Sequence, residues 1–173
     1  MSTSTMFAAI DYLVTTSQAA WANDSTAYVF DGPTPAGFDQ EFPNKIWIGA
    51  DPIQDDAPGF EAVTGDQDFA TISQGRTRDE RFAIACAVEH WDGGTDLKVA
   101  RTAAKGYLAT FETFLRGTAA TAGPGDCTLG GALGPSGYAQ LAGGQALHQE
   151  QQTTGCLCLI TFHITCRARL TTP

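Results

Sequence analysis

Three of the five cysteines, Cys156, Cys158 and Cys166, occupy positions of the same parity near the C-terminus, where a strand turns all three thiols to one face. Thiols grouped in that way are the raw material of a metal site. The spacing argues against one, because structural zinc sites carry a Cys-x2–4-Cys or His-x3–5-His knuckle and neither is present. His163 also falls on the face opposite the cysteines. His148-Gln-Glu150 echoes the His-x-Glu of zinc deaminases, yet the Pro-Cys-x-x-Cys that this chemistry needs downstream is missing. Gly134-Pro-Ser136-Gly137 has the wrong spacing for a nucleophile elbow and no strand-to-helix turn around it. Gly123-Pro-Gly125 lacks the rest of a phosphate-binding fingerprint, and its proline gives up an amide donor. Glu89 and His90 are neighbours on a strand pattern, so they face opposite ways and form no acid–base pair. With three histidines in all, each reads as a satisfied structural residue. The expectation is therefore no catalytic residue, no cofactor and no metal.

Cys86 and Cys127 bring the cysteines to an odd number without framework spacing, a poor fit to a secreted disulfide scaffold. Apolar neighbours (Ala85, Ala87, Leu157, Leu159) suit buried free thiols in a reducing compartment.

Charge carries more pattern than chemistry does. Acids outnumber bases 19 to 10, a net charge of −9, which argues against wrapping nucleic acid or lying on anionic lipid. Residues 1–100 hold sixteen acids and five bases, whereas 101–173 hold three acids and five bases. The acids concentrate at Asp51, Asp55, Asp56, Glu61, Asp66 and Asp68, with no Lys or Arg among them. That run reads either as a solvated loop or as an acidic surface that repels DNA or meets a basic partner. Arg76, Arg78 and Arg81 cluster in sequence, and Arg167 and Arg169 alternate on one face of the last segment. These arginines read either as solubilising charge or as a face that meets acidic residues 51–68 of a neighbouring subunit, a head-to-tail contact that closes into a ring. No apolar run approaches the ~18–20 residues that span a bilayer. The stretch 1–5 carries no positive charge, so no secretory signal peptide is expected.

The elements that must hold these residues follow from periodicity. A helix is predicted over 3–22, with Phe7, Ile10, Val14, Ser17 and Trp21 as its stripe, Met6 and Leu13 flanking, and Ser2 or Ser4 as N-cap. Short strands follow at 27–30 and 45–48, and a weaker one at 67–73. Residues 82–91 form a better strand, Phe82, Ile84, Cys86 and Val88 on one face and Ala83, Ala85, Ala87 and Glu89 on the other. The small alanine face leaves room for close packing, most simply by a helix. A second helix is predicted over 95–116, capped by Thr95 and Gly117, with Leu97, Ala100, Ala104, Leu108, Phe111 and Leu115 as its stripe. Segments 126–133 and 138–149 read as a hairpin, with Gly130, Gly131, Gly143 and Gly144 at bulges or close contacts. The last segment, 156–170, would extend about 50 Å and must bend or project toward a neighbour. The expected fold is α+β, an antiparallel or mixed sheet with two helices packed on one face, a long C-terminal strand and a β-hairpin extension. One domain over 1–173 is expected, with an acidic Pro/Gly-rich loop at about 31–68.

In this layout the chain resembles the tail terminator proteins of long-tailed, siphovirus-like bacteriophages, over about residues 3–170. The resemblance rests on the early helix, Tyr28-Val-Phe30-Asp-Gly-Pro33, Lys45-Ile-Trp-Ile-Gly49 and Arg78-Asp-Glu-Arg-Phe82. It continues through Trp91-Asp-Gly-Gly94, the helix behind it and the closing Arg167-Ala-Arg169. It implies a structural virion protein that caps the tail tube as a homo-oligomeric ring, a hexamer, and stops tube polymerisation. The implied partners are further copies of itself, the major tail tube protein and a head-completion or neck protein, with DNA passing through unbound and no membrane involved. The rival readings are another head–tail connector, head-completion or minor tail ring protein, and a small hydrolase whose site is assembled from distant residues.

Overall fold

The computed structural model describes residues 4–38, 42–53, 61–69, 77–116 and 127–171. The expected α+β class with a mixed sheet is what it has. Its elements in chain order are helix α1 (Met6–Ala20), strands β1 (Ala27–Asp31), β2 (Asn44–Ile48), β3 (Val63–Phe69) and β4 (Thr77–Asp92), helix α2 (Leu97–Arg116), and strands β5 (Tyr138–Gln152) and β6 (Gly155–Thr171).

The sheet is organised around β4 and β6, which pair antiparallel from Thr77 opposite Thr171 to Asp92 opposite Cys156. β4 thus starts five residues before the expected 82 and runs the length of β6, so the closing strand is matched within its own subunit and does not project. β6 pairs on its other side with β5 through a two-residue turn at Thr153-Thr154. The register shifts between Ala142 and Ala146, where Gly143-Gly144 sits. The hairpin partner of β5 is therefore β6, not 126–133. Residues 127–137 form turns in which Leu129, Gly130, Gly131 and Gly134 take positive φ, and the Ala139 N–H donates to the Cys127 carbonyl at 2.7 Å. On the other edge of β4, β2 and β3 lie in line, β2 opposite His90 to Cys86 and β3 opposite Ile84 to Arg78. The chain leaves between them, but the ladder continues, since Gly49 donates to the Ala85 carbonyl (2.8 Å) and Ala85 to that of Ala62 (3.1 Å). The weak strand expected at 67–73 is this β3, shifted to Val63–Phe69; residues 70–76 lie outside the described residues. β1 adds parallel to β2 at the edge, which makes the sheet mixed. The segment 31–68 is consequently more than a loop, because it carries β2 and nearly all of β3.

Both helices cover the face that carries Phe82, Ile84, Cys86, Val88 and the even-numbered residues of β6 from Cys156 to Ala168. The alanine face was the expected helix side. The helices go to the other because its larger side chains offer far more apolar area to remove from water, at about 25 cal/mol per Å². α2 buries Ala100, Ala104, Leu108, Phe111 and Leu115 as its stripe predicts. Its first-turn cap is Asp96 rather than Thr95, the Asp96 carboxylate accepting from the Lys98 N–H at 2.8 Å. Gly117 lies outside the described residues. In α1 the buried residues are Ala9, Leu13, Val14 and Ser17, and Phe7 is 65% exposed, so the stripe sits rotated from the expected one. Trp21 closes the layer against Tyr107, Phe111 and Phe114, ring centroids 5.6–5.9 Å away.

The alanine face has a smaller core: Phe30, Trp47, Ala50, Ala87 and Leu159, with Phe38 and Leu157 against it. Trp47 stacks on Phe30 at 5.3 Å and donates its indole N–H to the Thr34 hydroxyl at 3.0 Å. The small alanines make room for these cross-strand rings instead of for a helix. Away from them this face carries polar and charged side chains.

Candidate functional site

The charges converge at the end of the sheet where β3, β4 and β6 lie side by side. Strand alternation puts Asp66 and Asp68 of β3, Asp79 and Arg81 of β4, and Arg167 and Arg169 of β6 on the face the helices do not cover. Across the strands Asp66 is opposite Arg81, Arg81 opposite Arg167, and Arg167 opposite Tyr138 of β5. In the next row Asp68 is opposite Asp79 and Asp79 opposite Arg169. Arg169 grips Asp79 with two hydrogen bonds, 2.7 and 2.9 Å. That grip holds the Asp79 carboxyl below the usual carboxylate range, with Arg167 and Arg81 adding to it. A cavity of about 230 Å³ opens beside them, lined by Ser136, Tyr138, Arg167 and Arg169.

The sequence grouping of the arginines separates here. Arg81, Arg167 and Arg169 share the uncovered face, whereas Arg78 faces the helix side and pairs with Glu80 at 2.9 Å, its side chain 19% exposed. Arg78 is thus an internal residue and not part of an arginine surface, because β4 begins early enough to put it inside the strand. Arg76 lies outside the described residues. Among the acids, Glu61, Asp66 and Asp68 are exposed, but Asp51 is buried, its carboxylate accepting from the Ile53 N–H at 3.0 Å. Asp51 serves its own turn and offers no surface charge. Asp55 and Asp56 lie outside the described residues.

Glu80 is the residue sequence reasoning missed. It is 1% exposed, with one carboxylate oxygen accepting from the Thr5 N–H (2.8 Å) and hydroxyl (2.6 Å) at the start of α1. The other oxygen accepts from Gln67 Nε2 (2.8 Å) and Arg78. A carboxylate at a helix N-terminus is favoured by the helix dipole and satisfies an orphan amide. Thr5, not Ser4, stands at the N-cap position and is capped from the sheet, while the Ser4 hydroxyl accepts from the Met6 N–H at 3.1 Å; Ser2 lies outside the described residues.

The histidines and thiols form one grouping of chemical interest. His90 donates from Nδ1 to the Asn44 side-chain oxygen, and Asn44 donates to the Thr26 hydroxyl at 2.7 Å. Asp24 accepts from the same Thr26 and from Tyr107 Oη at 2.8 Å, so a polar chain ties α2 to β2 and β4. Burial holds the His90 imidazole below its ordinary range, against the pull of Asp92. Cys158 stands opposite His90 in register, and Cys, His and Asn are the residue types of a thiol nucleophile set. No hydrogen bond joins Cys158 to His90, and burial raises the Cys158 thiol, so the thiolate that nucleophilic chemistry needs is disfavoured. Burial likewise pushes the Cys86 and Cys166 thiols up to about 12. Cys127, expected to be buried with the rest, is exposed, because it lies in the turn region before β5. His148 and His163 are exposed on the uncovered face, and none of the three histidines lines the 400 Å³ cleft between α2 and β5 or the 380 Å³ cleft beside Trp91. Among the described residues no helix is long and apolar enough to cross a membrane.

No protein-family model matches the chain, and no curated protein matches it. The fold and the site define an α+β protein whose mixed sheet is shielded by two helices on one face and carries segregated charge on the other.

Proposed function

We propose that the chain is a structural subunit of a phage virion, a tail terminator that assembles into a hexameric ring, caps the tail tube and joins it to the neck. The observation that carries this reading is the uncovered end of the sheet, with Asp66 and Asp68 on its outer strand and Arg167 and Arg169 two strands inward. A surface polarised in that way suits head-to-tail association, which closes into a ring when the rotation permits. The ring would dock on the last ring of tube protein, stop polymerisation and present its other side to a head-completion protein. Part of the exposed acidic surface would border the passage and keep DNA phosphates from sticking.

Mass photometry with negative-stain microscopy tests the reading. Six subunits of 18.3 kDa give a particle of about 110 kDa and an annulus. Binding to purified tail tubes separates a terminator from another connector, head-completion or minor tail ring protein. A monomer that ignores tail tubes refutes the ring, and native-state alkylation at Cys158 beside His90 would then favour a small hydrolase.

A further inference from the structure

The uncovered face holds two like-charge pairs at the same end of the sheet: Arg81 opposite Arg167, and Asp68 opposite Asp79. Like charges directly opposite on neighbouring strands destabilise a sheet. Within each pair one member is accommodated by the subunit itself. Asp79 is held by Arg169, and Arg81, which makes no ion pair among the described residues, has the opposite charge of Asp66 directly across from it on β3. The other members, Arg167 and Asp68, have no opposite charge directly across from them and no ion pair among the described residues; Arg167 reaches Asp79 only through its field. Arg167 is flanked by Arg81 on one side and Tyr138 on the other, and it lines the 230 Å³ cavity with Ser136, Tyr138 and Arg169. Two guanidinium groups and two hydroxyls are the donor set for a carboxylate. Asp68 is exposed on β3, the outermost strand at this end among the described residues.

We propose that the Arg167 cavity receives the Asp68 carboxylate of a second copy of this chain, with Asp66 beside it, so that each subunit resolves its neighbour's unmatched charge. The inference rests on the ring reading and names its contact. The acid and the cavity lie on different strands of one rigid sheet, so the contact is heterologous: a subunit gives its acid to one neighbour and its arginine to the other. A local arrangement that weakens the lone subunit and is completed only by a partner is the signature expected of an interface.

Two measurements on the full chain test it. The first is assembly by mass photometry of Arg167→Glu and Asp68→Lys variants, alone and mixed. Each alone assembles at least tenfold more weakly, and the equimolar mixture recovers, because the contacts then pair unlike charges throughout. The second is the melting of the dissociated subunit carrying Arg167→Gln. It melts higher than the unsubstituted subunit, since relief of the repulsion from Arg81 directly opposite outweighs the lost, weaker pull on Asp79, while its assembly is weakened. A subunit destabilised by Arg167→Gln overturns the inference, because Arg167 would then serve its own fold. Rings that survive both reversals overturn it and leave the ring reading standing. An unsubstituted chain that stays monomeric with and without tail tubes overturns both.

Discussion

Replacing Glu80 by alanine should be among the most damaging single changes in this protein, and its cost can be worked from the contacts. Glu80 is 1% exposed and receives five donors: the Thr5 amide at 2.8 Å, the Thr5 hydroxyl at 2.6 Å, Gln67 at 2.8 Å, Arg78 at 2.9 Å and, more weakly, the Ser4 hydroxyl at 3.5 Å. Its removal leaves the Arg78 guanidinium in a site where Nε already lacks a partner, and it strips the Thr5 amide and hydroxyl at the start of α1 of their acceptor. Breaking a buried ion pair from one side costs about 3–5 kcal/mol. At about 2–4 °C per kcal/mol for a chain of this length, melting should fall by roughly 6–20 °C. Glu80→Gln keeps the volume and one acceptor but turns an amide toward the donors, so about 2–3 kcal/mol is expected. Urea titration followed by circular dichroism reads both values. Amide exchange should quicken in the first turn of α1 before it does in α2, because Glu80 bonds the start of α1 and makes no hydrogen bond to α2. A loss below about 1 kcal/mol for Glu80→Ala would refute the reasoning, because water would then be replacing the carboxylate without penalty.

Two further outcomes follow from the same geometry. In the native state one thiol, Cys127, should react rapidly with a maleimide, and Cys86, Cys156, Cys158 and Cys166 should react only on unfolding, since burial keeps them protonated and covered; mass spectrometry of the labelled chain counts them. Stability should fall as pH drops below the unfolded imidazole value near 6.5, because the unfolded chain takes up a proton that half-buried His90 resists; His90→Gln should flatten that slope in pH-dependent urea titrations.

The candidate site was partly legible. Parity alone puts Arg167 and Arg169 on one face, and it would have put Arg78 and Arg81 on opposite faces had β4 been extended back to Thr77. The extension is hard to read because Thr77-Arg-Asp-Glu-Arg81 is polar on both faces, and its strand state comes from pairing with β6. Glu80 has the look of a solvated charge in sequence. It becomes an internal anchor because the N-terminus of α1, some 75 residues earlier, arrives over it. The Asn44–His90–Cys158 grouping draws on three distant segments and has no local pattern to betray it.

What the sequence determined by itself was periodicity: the even-numbered apolar face of the last strand, the alternation from Phe82 to Val88, and the stripe of α2 from Ala100 to Leu115. These are local because side-chain direction repeats every two residues in a strand and every 3.6 in a helix. The tertiary structure decided pairing and layering, namely β6 rather than 126–133 as the partner of β5, β2 and β3 as collinear neighbours of β4, and helices on the bulky face rather than the alanine face. Those choices depend on which long-range arrangement buries the most apolar area while pairing every backbone group, a comparison of whole folds that no short stretch of sequence contains.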